Sequence, residues 1–178
     1  MKCPDQESLA KAFDTEFLNR TRNTDIRPEQ PEDATFLKEL FVACSPLRTA
    51  VPDALLLHQA ELAQVAFSTN FTQAMRRTIL VFSQPAGRII VDWTDCIFHG
   101  VDIAVHPDFR SSGIGLALLR AWTAVADANR RACSLEVLSN NPAKRIYEHL
   151  GFKVDGSEDE GLASIRMVRP VTPQAALA

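Results

Sequence analysis

Near Thr78 the spacing of apolar residues changes, and this change restricts the fold more than any other feature of the chain. Before it, Leu9, Phe13 and Phe17 recur every fourth residue, and Phe36, Leu37, Leu40 and Phe41 form a second apolar face. Both patterns suit amphipathic helices. After it, "TILVFS" and "RIIVDWT" predict a β-hairpin turning at "QPAG", and "CIFHGVDIAV" predicts the next strand. Ile114, Leu118, Ala121, Trp122 and Val125 then restore the helical period, followed by strands in "ACSLEVL" and "LASIRMV". Helices, an antiparallel meander and a strand-helix-strand crossover in that order predict a mixed α/β domain.

The breaks between these segments carry their own signals. "NTDIRPEQPED" interrupts the first helical pattern, with Ile26 in a short strand and Pro31 opening a helix beside Glu32 and Asp33. "SPLRTAVPD" reads as a loop, and Asp53 starts a helix that runs through Leu62 and Phe67. Late in the chain Asn141 is placed to cap a short helix with Pro142 at its first position. Ala143, Ile146, Tyr147 and Leu150 would face inward, and Gly151 would end it.

Composition narrows the class. The chain of 178 residues is 46% apolar and 23% charged, which suits one packed domain rather than a disordered chain. A net charge of −3 with no basic stripe argues against a nucleic-acid partner. No apolar run is long enough to cross a bilayer, and Met1 to Arg20 lacks the apolar core of a signal peptide. Cys3, Cys44, Cys96 and Cys133 are widely spaced and form no CxxC pair. Reduced cysteines in a cytoplasmic protein, with no metal site, are the expectation.

The chemistry concentrates in "VHPDFRSSGIGLALL", Val105 to Leu119, where a strand hands over to a helix through Arg110, Ser111, Ser112, Gly113 and Gly115. Amides in a helix's first turn lack intrahelical partners, and the helix dipole is positive there. Glycines let a ligand approach the backbone, and an arginine can grip two phosphate oxygens, so the stretch suits a pyrophosphate. A P-loop is excluded because Leu116 and Ala117 stand where Lys and Ser or Thr belong, and a dinucleotide fingerprint would need glycine at Leu118.

Arg110-x-x-Gly113-x-Gly115, after "VDIAV" and before an apolar helix, resembles the R/Q-x-x-G-x-G/A signature of the GNAT (GCN5-related N-acetyltransferase) superfamily. "NNPAKRIYEHLGF" is similar to that family's second landmark, one helix and one strand downstream. The resemblance runs from about Asp25 to Arg169. It implies a GNAT domain over residues 25–170, a helical extension at 1–24 and a loose tail at 171–178. The implied fold is a mixed, mostly antiparallel sheet with a splayed parallel strand pair flanked by helices.

The same resemblance implies acetyl-CoA as cofactor and an amine, on a small molecule or a protein, as acceptor. The backbones of Ile103 and Val105 would hold the pantetheine arm, and the amides of Ser111, Ser112, Gly113, Ile114 and Gly115, with Arg110, the pyrophosphate. Asn140 and Asn141 both compete for the motif asparagine, and Ala143 matches its small position. Tyr147, the chain's single tyrosine, falls where many members keep the acid that protonates the leaving thiolate. The general base is open between Asp102 and Glu136, with His99 beside the first splayed strand. Glu158, Asp159 and Glu160 could attract a cationic acceptor or simply form a solvated turn. A non-catalytic acyl-CoA-binding or assembly module is the alternative, keeping Arg110, Gly113 and Gly115 but needing no Tyr147. The apolar stripe of the first helix would cover the sheet or meet a second subunit in a homodimer.

Overall fold

The computed structural model describes residues 5–93, 96–156 and 164–171. Its elements follow the chain as α1 (Gln6–Leu18), β1 (Thr24–Pro28), α2 (Ala34–Cys44), α3 (Asp53–Asn70), β2 (Met75–Val81), β3 (Gln84–Asp92) and β4 (Ile97–Val105). Then come α4 (Ile114–Ala128), β5 (Ala132–Leu138), α5 (Lys144–His149), β6 (Lys153–Val154) and β7 (Ser164–Arg169). One seven-stranded sheet has the order β1-β2-β3-β4-β5-β7-β6. All its pairs are antiparallel except β4 with β5, which the α4 crossover makes parallel. Among the described residues, no helix is long and apolar enough to cross a membrane.

Helices α1 and α4 cover one face. Asp5 caps α1 by accepting the Ser8 amide at 3.0 Å, and Leu9, Phe13 and Phe17 are buried against the sheet and α4. The stripe therefore lies in the same core as Ile26, Ile79, Ile89 and Val91 of the strands. Trp93 joins it, edge-on to Phe98 at 4.8 Å and tilted against Phe13 at 6.5 Å. Trp122 of α4 lies so close under β4 that a Cβ on Gly100 would come within 2.8 Å of its ring. Glycine is what allows that approach.

Helices α2 and α3 cover the opposite face, which buries charge as well as apolar side chains. Arg27 grips Asp33 through two hydrogen bonds of 2.7 Å, and Thr78 donates to the same carboxylate at 2.8 Å. These bonds hold the Asp33 carboxyl down at about 2, against an ordinary 3.8. Arg88, 2% exposed, lies beneath α3 with its guanidinium 5.4 Å from the centre of the Phe67 ring.

Three expectations need correction. The hairpin turns at Phe82 and Ser83, both left-handed at φ 48° and 66°, and not at "QPAG". Two consecutive left-handed residues match the twist of a two-residue hairpin, and Pro85 is accommodated by a bulge that sets Leu80 opposite it. Helix α5 begins at Lys144, after a turn in which the Asn141 side chain accepts the Ala143 amide at 2.9 Å. Ile146 points outward at 41% exposure, because six residues make too short a helix to bury a whole stripe. Strand β6 had no sequence signal of its own: two residues cannot display a period.

Candidate active site

The parallel pair separates partway along. Ile97 to Gly100 pair with Ala132 to Leu135, and the ladder stops there although both strands continue. The cause lies on the other side of β4. Asp102 pairs with Ile90 and Gly100 with Val91, leaving Val101 as an extra residue in the ladder to β3. Such a bulge bends a strand and increases its twist, which carries the rest of β4 away from β5. It also resets the side-chain alternation, so that Asp102 faces α2 and α3 with Arg88 and Ala104 while Ile103 and Val105 face the core.

Beyond the split, β4 has an unpaired edge. The His106 amide donates to Ala86 at 2.8 Å on the β3 side. By alternation, Ile103 and Val105 turn their amides and carbonyls toward the open side. The Val105 carbonyl is met there by Cys44 Sγ at 3.4 Å and Arg110 Nε at 3.3 Å. Arg110 also reaches Cys44 Sγ at 3.4 Å, so its guanidinium lies across the end of β4. Burial raises the Cys44 thiol pKa, and the neighbouring guanidinium only partly opposes it.

A turn with Ser111 at φ 63° and Gly113 at φ 83° leads into α4. The first backbone bond of that helix runs from the Ala117 amide to the Gly113 carbonyl. Among the described residues, the amides of Ser111, Ser112, Gly113, Ile114 and Gly115 donate to no acceptor in the chain. Gly113 needs its left-handed backbone, but Gly115 does not. A Cβ at Gly115 would meet only Val105 Cγ2, at 3.9 Å. Glycine inside a helix costs up to about 1 kcal/mol relative to alanine. Packing gives no reason for it here, whereas close approach of a ligand to the backbone does. A row of free amides at the positive end of a 15-residue helix suits an anion, and the open space over Gly115 suits a bulky one such as a pyrophosphate.

Tyr147 is brought toward the split by a chain of rings. It sits edge-on to Phe152 at 6.0 Å, and Phe152 packs on Trp122 at 5.5 Å. Its hydroxyl has no hydrogen-bond partner among the described residues. Burial, and then the negative charge of Asp102, raise its pKa, which keeps the hydroxyl protonated. Asp102 is itself raised by burial, with Arg88 opposing and Glu29 reinforcing.

The other candidates lie farther apart. Glu136 is exposed on β5, opposite Arg166 of β7. His99 pairs its Nδ1 with Ser134 Oγ at 3.0 Å and stacks on Phe71, and burial lowers its pKa. Asn140 is exposed, Asn141 is committed to the turn before α5, and Ala143 is half-buried beside it. Glu158, Asp159 and Glu160 lie outside the described residues.

Sequence reasoning missed the surroundings of Asp102. Arg88 Nε lies 2.8 Å from Glu29 Oε1, Arg88 Nη1 lies 3.5 Å from Asp102 Oδ2, and Arg88 Nη2 donates to Gln64 Oε1 at 2.8 Å. An arginine inside the apolar strand "AGRIIVD" was the available signal. Beside this cluster, a cavity of about 240 Å³ opens between α2 and β4.

The chain shares its overall fold with solved acetyltransferases. The chain superposes on the PaiA N-acetyltransferase of Thermoplasma acidophilum, solved with coenzyme A, with a TM-score of 0.62 at 17% identity, covering 84% of this chain and 99% of that one. The histone acetyltransferase HPA2 and related acetyltransferase of Corynebacterium glutamicum gives 0.64 at 18%, covering 86% and 99%. Ard1 of Thermoplasma volcanium gives 0.61 at 20%, covering 85% and 99%. No functionally curated protein matches the sequence. Residues 76–154 match the family model of the acetyltransferase (GNAT) domain.

Proposed function

We infer that the protein is an acetyl-CoA-dependent N-acyltransferase that passes an acyl group directly to a primary amine, acting in the cytoplasm. The observation that carries this reading is the glycine at position 115, whose Cβ would project into open space beside five free amides. Those amides, from Ser111 to Gly115, would hold the cofactor's pyrophosphate, with Arg110 swinging from the end of β4 to join them. The unpaired edge at Ile103 and Val105 would hold the pantetheine arm as an added strand. When bound, acetyl-CoA supplies the acyl group as an activated thioester.

The remaining work falls to this chain's own groups. An edge amide of β4 would donate to the carbonyl oxygen as negative charge develops on it. Asp102, whose proton affinity burial has raised, would take the proton that an ammonium must lose before its nitrogen can attack. Its influence on Tyr147 and its place at a cavity favour it over the exposed Glu136. Tyr147, held protonated, would return a proton to the leaving sulfur. Neither Cys44 nor Cys133 has the character of an acyl carrier: burial raises the thiol of Cys44, and that of Cys133 to about 12.

Calorimetric titration with acetyl-CoA tests the reading, with a Gly113→Glu, Gly115→Glu double variant as control. Micromolar binding, worth about 8 kcal/mol, is expected in the wild type and absent in the variant. A folded wild type that binds no acetyl-CoA overturns the proposal. Binding without CoA release in the presence of any amine would leave a non-catalytic acyl-CoA-binding module.

A further inference from the structure

In the acyl-transfer reading Asp102 takes the amine's proton, which requires its carboxylate to be held at the cavity and kept ionised against burial. Arg88 of β3 is placed to do both. It pairs with Ala104, and Ile90 pairs with Asp102, so Arg88 and Asp102 are diagonal neighbours across two strands. They share one face of the sheet because of the bulge at Val101.

The guanidinium is held along one edge and over one face. Its Nε lies 2.8 Å from Glu29 Oε1, and its Nη2 donates to Glu29 Oε2 at 3.4 Å and to Gln64 Oε1 at 2.8 Å. The Phe67 ring lies against it, with the ring centre 5.4 Å away. A guanidinium is planar and rigid, so fixing its Nε–Nη2 edge also fixes where Nη1 points. Nη1 lies 3.5 Å from Asp102 Oδ2. At that separation opposite charges still attract, but the gap is longer than a charge-assisted hydrogen bond, so the carboxylate stays free to accept a proton. The Arg88 side chain is 3% exposed, whereas Asp102 keeps 30% of its own exposed.

The charges behind this contact balance. Arg76 acts on both Glu29 and Arg88, so two arginines stand against the carboxylates of Glu29 and Asp102. Glu29 is shared between them, and Arg88 keeps part of its charge for Asp102. On the cavity side the Asp102 charge reaches Cys44 of α2 and Tyr147 of α5, and Arg110 meets Cys44 at 3.4 Å. Burial keeps that thiol and that phenol uncharged, which leaves Arg88 as the cation acting on Asp102.

We propose that Arg88 is a positioning residue for acyl transfer: clamped by Glu29, Gln64 and Phe67, it holds the Asp102 carboxylate at the cavity, charged yet free to accept the amine's proton. Arg88 acts through Asp102, and Glu29 sets how much of the guanidinium's charge Asp102 receives.

Titration of the Asp102 carboxyl carbon by NMR in the full chain tests this without a substrate. Arg88→Met should raise the Asp102 pKa by about one pH unit or more, and Arg88→Lys should restore part of that shift. Glu29→Gln should move it the other way, because Arg88 then gives more of its charge to Asp102. A merely structural role would loosen the cluster alike in both variants and would not oppose their shifts. Glu29→Gln keeps the shape of the side chain, so it decides the matter even if Arg88→Met does not fold. An unmoved Asp102 in either folded variant, or shifts of the same sign, overturns the proposal. Turnover separates it from the reading on which it rests. With acetyl-CoA and whichever of phenethylamine, spermidine and L-lysine releases CoA, the acid limb of kcat/KM should rise in Arg88→Met and fall in Glu29→Gln. Opposed NMR shifts with an unmoved acid limb keep the hold of Arg88 on Asp102 and discard Asp102 as the proton acceptor. If none of these amines releases CoA, the titration alone decides.

Discussion

The two faces of this sheet are held by different forces. Under α1 and α4 the contacts are apolar and aromatic, with Phe13, Phe17, Trp93, Phe98 and Trp122 all fully buried. Under α2 and α3, Arg27, Asp33, Thr78, Arg88, Glu29 and Asp102 share the interface with leucines, while Leu55, Leu62 and Val65 of α3 stay exposed. The first face anchors β4 from below, through Trp122 against Gly100. The second can therefore carry charge and a cavity without loosening the strand that lines them. A close-packed interior tolerates little change, whereas polar clusters respond to pH and to ligands.

The comparison breaks if the apolar face is not the stability-bearing one. Phe13→Ala should lose about 3–5 kcal/mol in urea unfolding, the largest stability change anticipated for any single substitution here. A loss below about 1 kcal/mol would move the anchor elsewhere.

Tyr147→Phe comes next, and it should act on rate alone. With an accepted amine, kcat should fall by about 100-fold or more while the thermal midpoint stays put, because the hydroxyl bonds to nothing among the described residues. If kcat is unchanged, the tyrosine is only a core aromatic.

Two carboxylates on the charged face sharpen the contrast with opposite pH signatures. Asp33 has a folded value of about 2, below its ordinary 3.8, so its contribution is complete above pH 3.8 and is lost as pH falls through about 2. Asp33→Asn should therefore cost about 2 kcal/mol at pH 7, with the difference closing in strong acid. Asp102 is shifted upward by burial, so its ionisation works against folding as pH rises. Asp102→Asn should give an effect of the other sign, with the variant gaining on the wild type as pH rises above 3.8. Matching pH profiles for the two variants would show that burial does not dominate at Asp102.

The smallest effect separates binding from folding. Gly115→Ala should stabilise α4 by up to about 1 kcal/mol, since its Cβ meets nothing nearer than 3.9 Å, and it should weaken acetyl-CoA binding. A variant that is both more stable and equally tight would remove the case for glycine as a ligand contact.

The order of elements was readable because apolar periodicity is a local property. Leu9, Phe13 and Phe17 announced α1, and Ile114 through Val125 announced α4. Arg110, Gly113 and Gly115 marked the turn before α4 for a similar reason: left-handed backbone and bare amides leave their trace in residue type. The hairpin turn was misplaced because Pro and Gly in "QPAG" outweighed the less usual Phe82 and Ser83, and the bulge that absorbs Pro85 has no sequence mark.

The sequence by itself thus determined the α/β class, the parallel crossover and the position of the glycine turn, all set by neighbours within a few residues. Tertiary structure alone decided where β4 leaves β5, which face Asp102 takes, and that Arg88, Glu29 and Asp102 meet. A single extra residue at Val101 reverses the facing of everything after it, and whether a strand bulges depends on the partner strand's register. Glu29, Arg88 and Asp102 come from three separate segments, so their shared charge exists only once the sheet has brought them together.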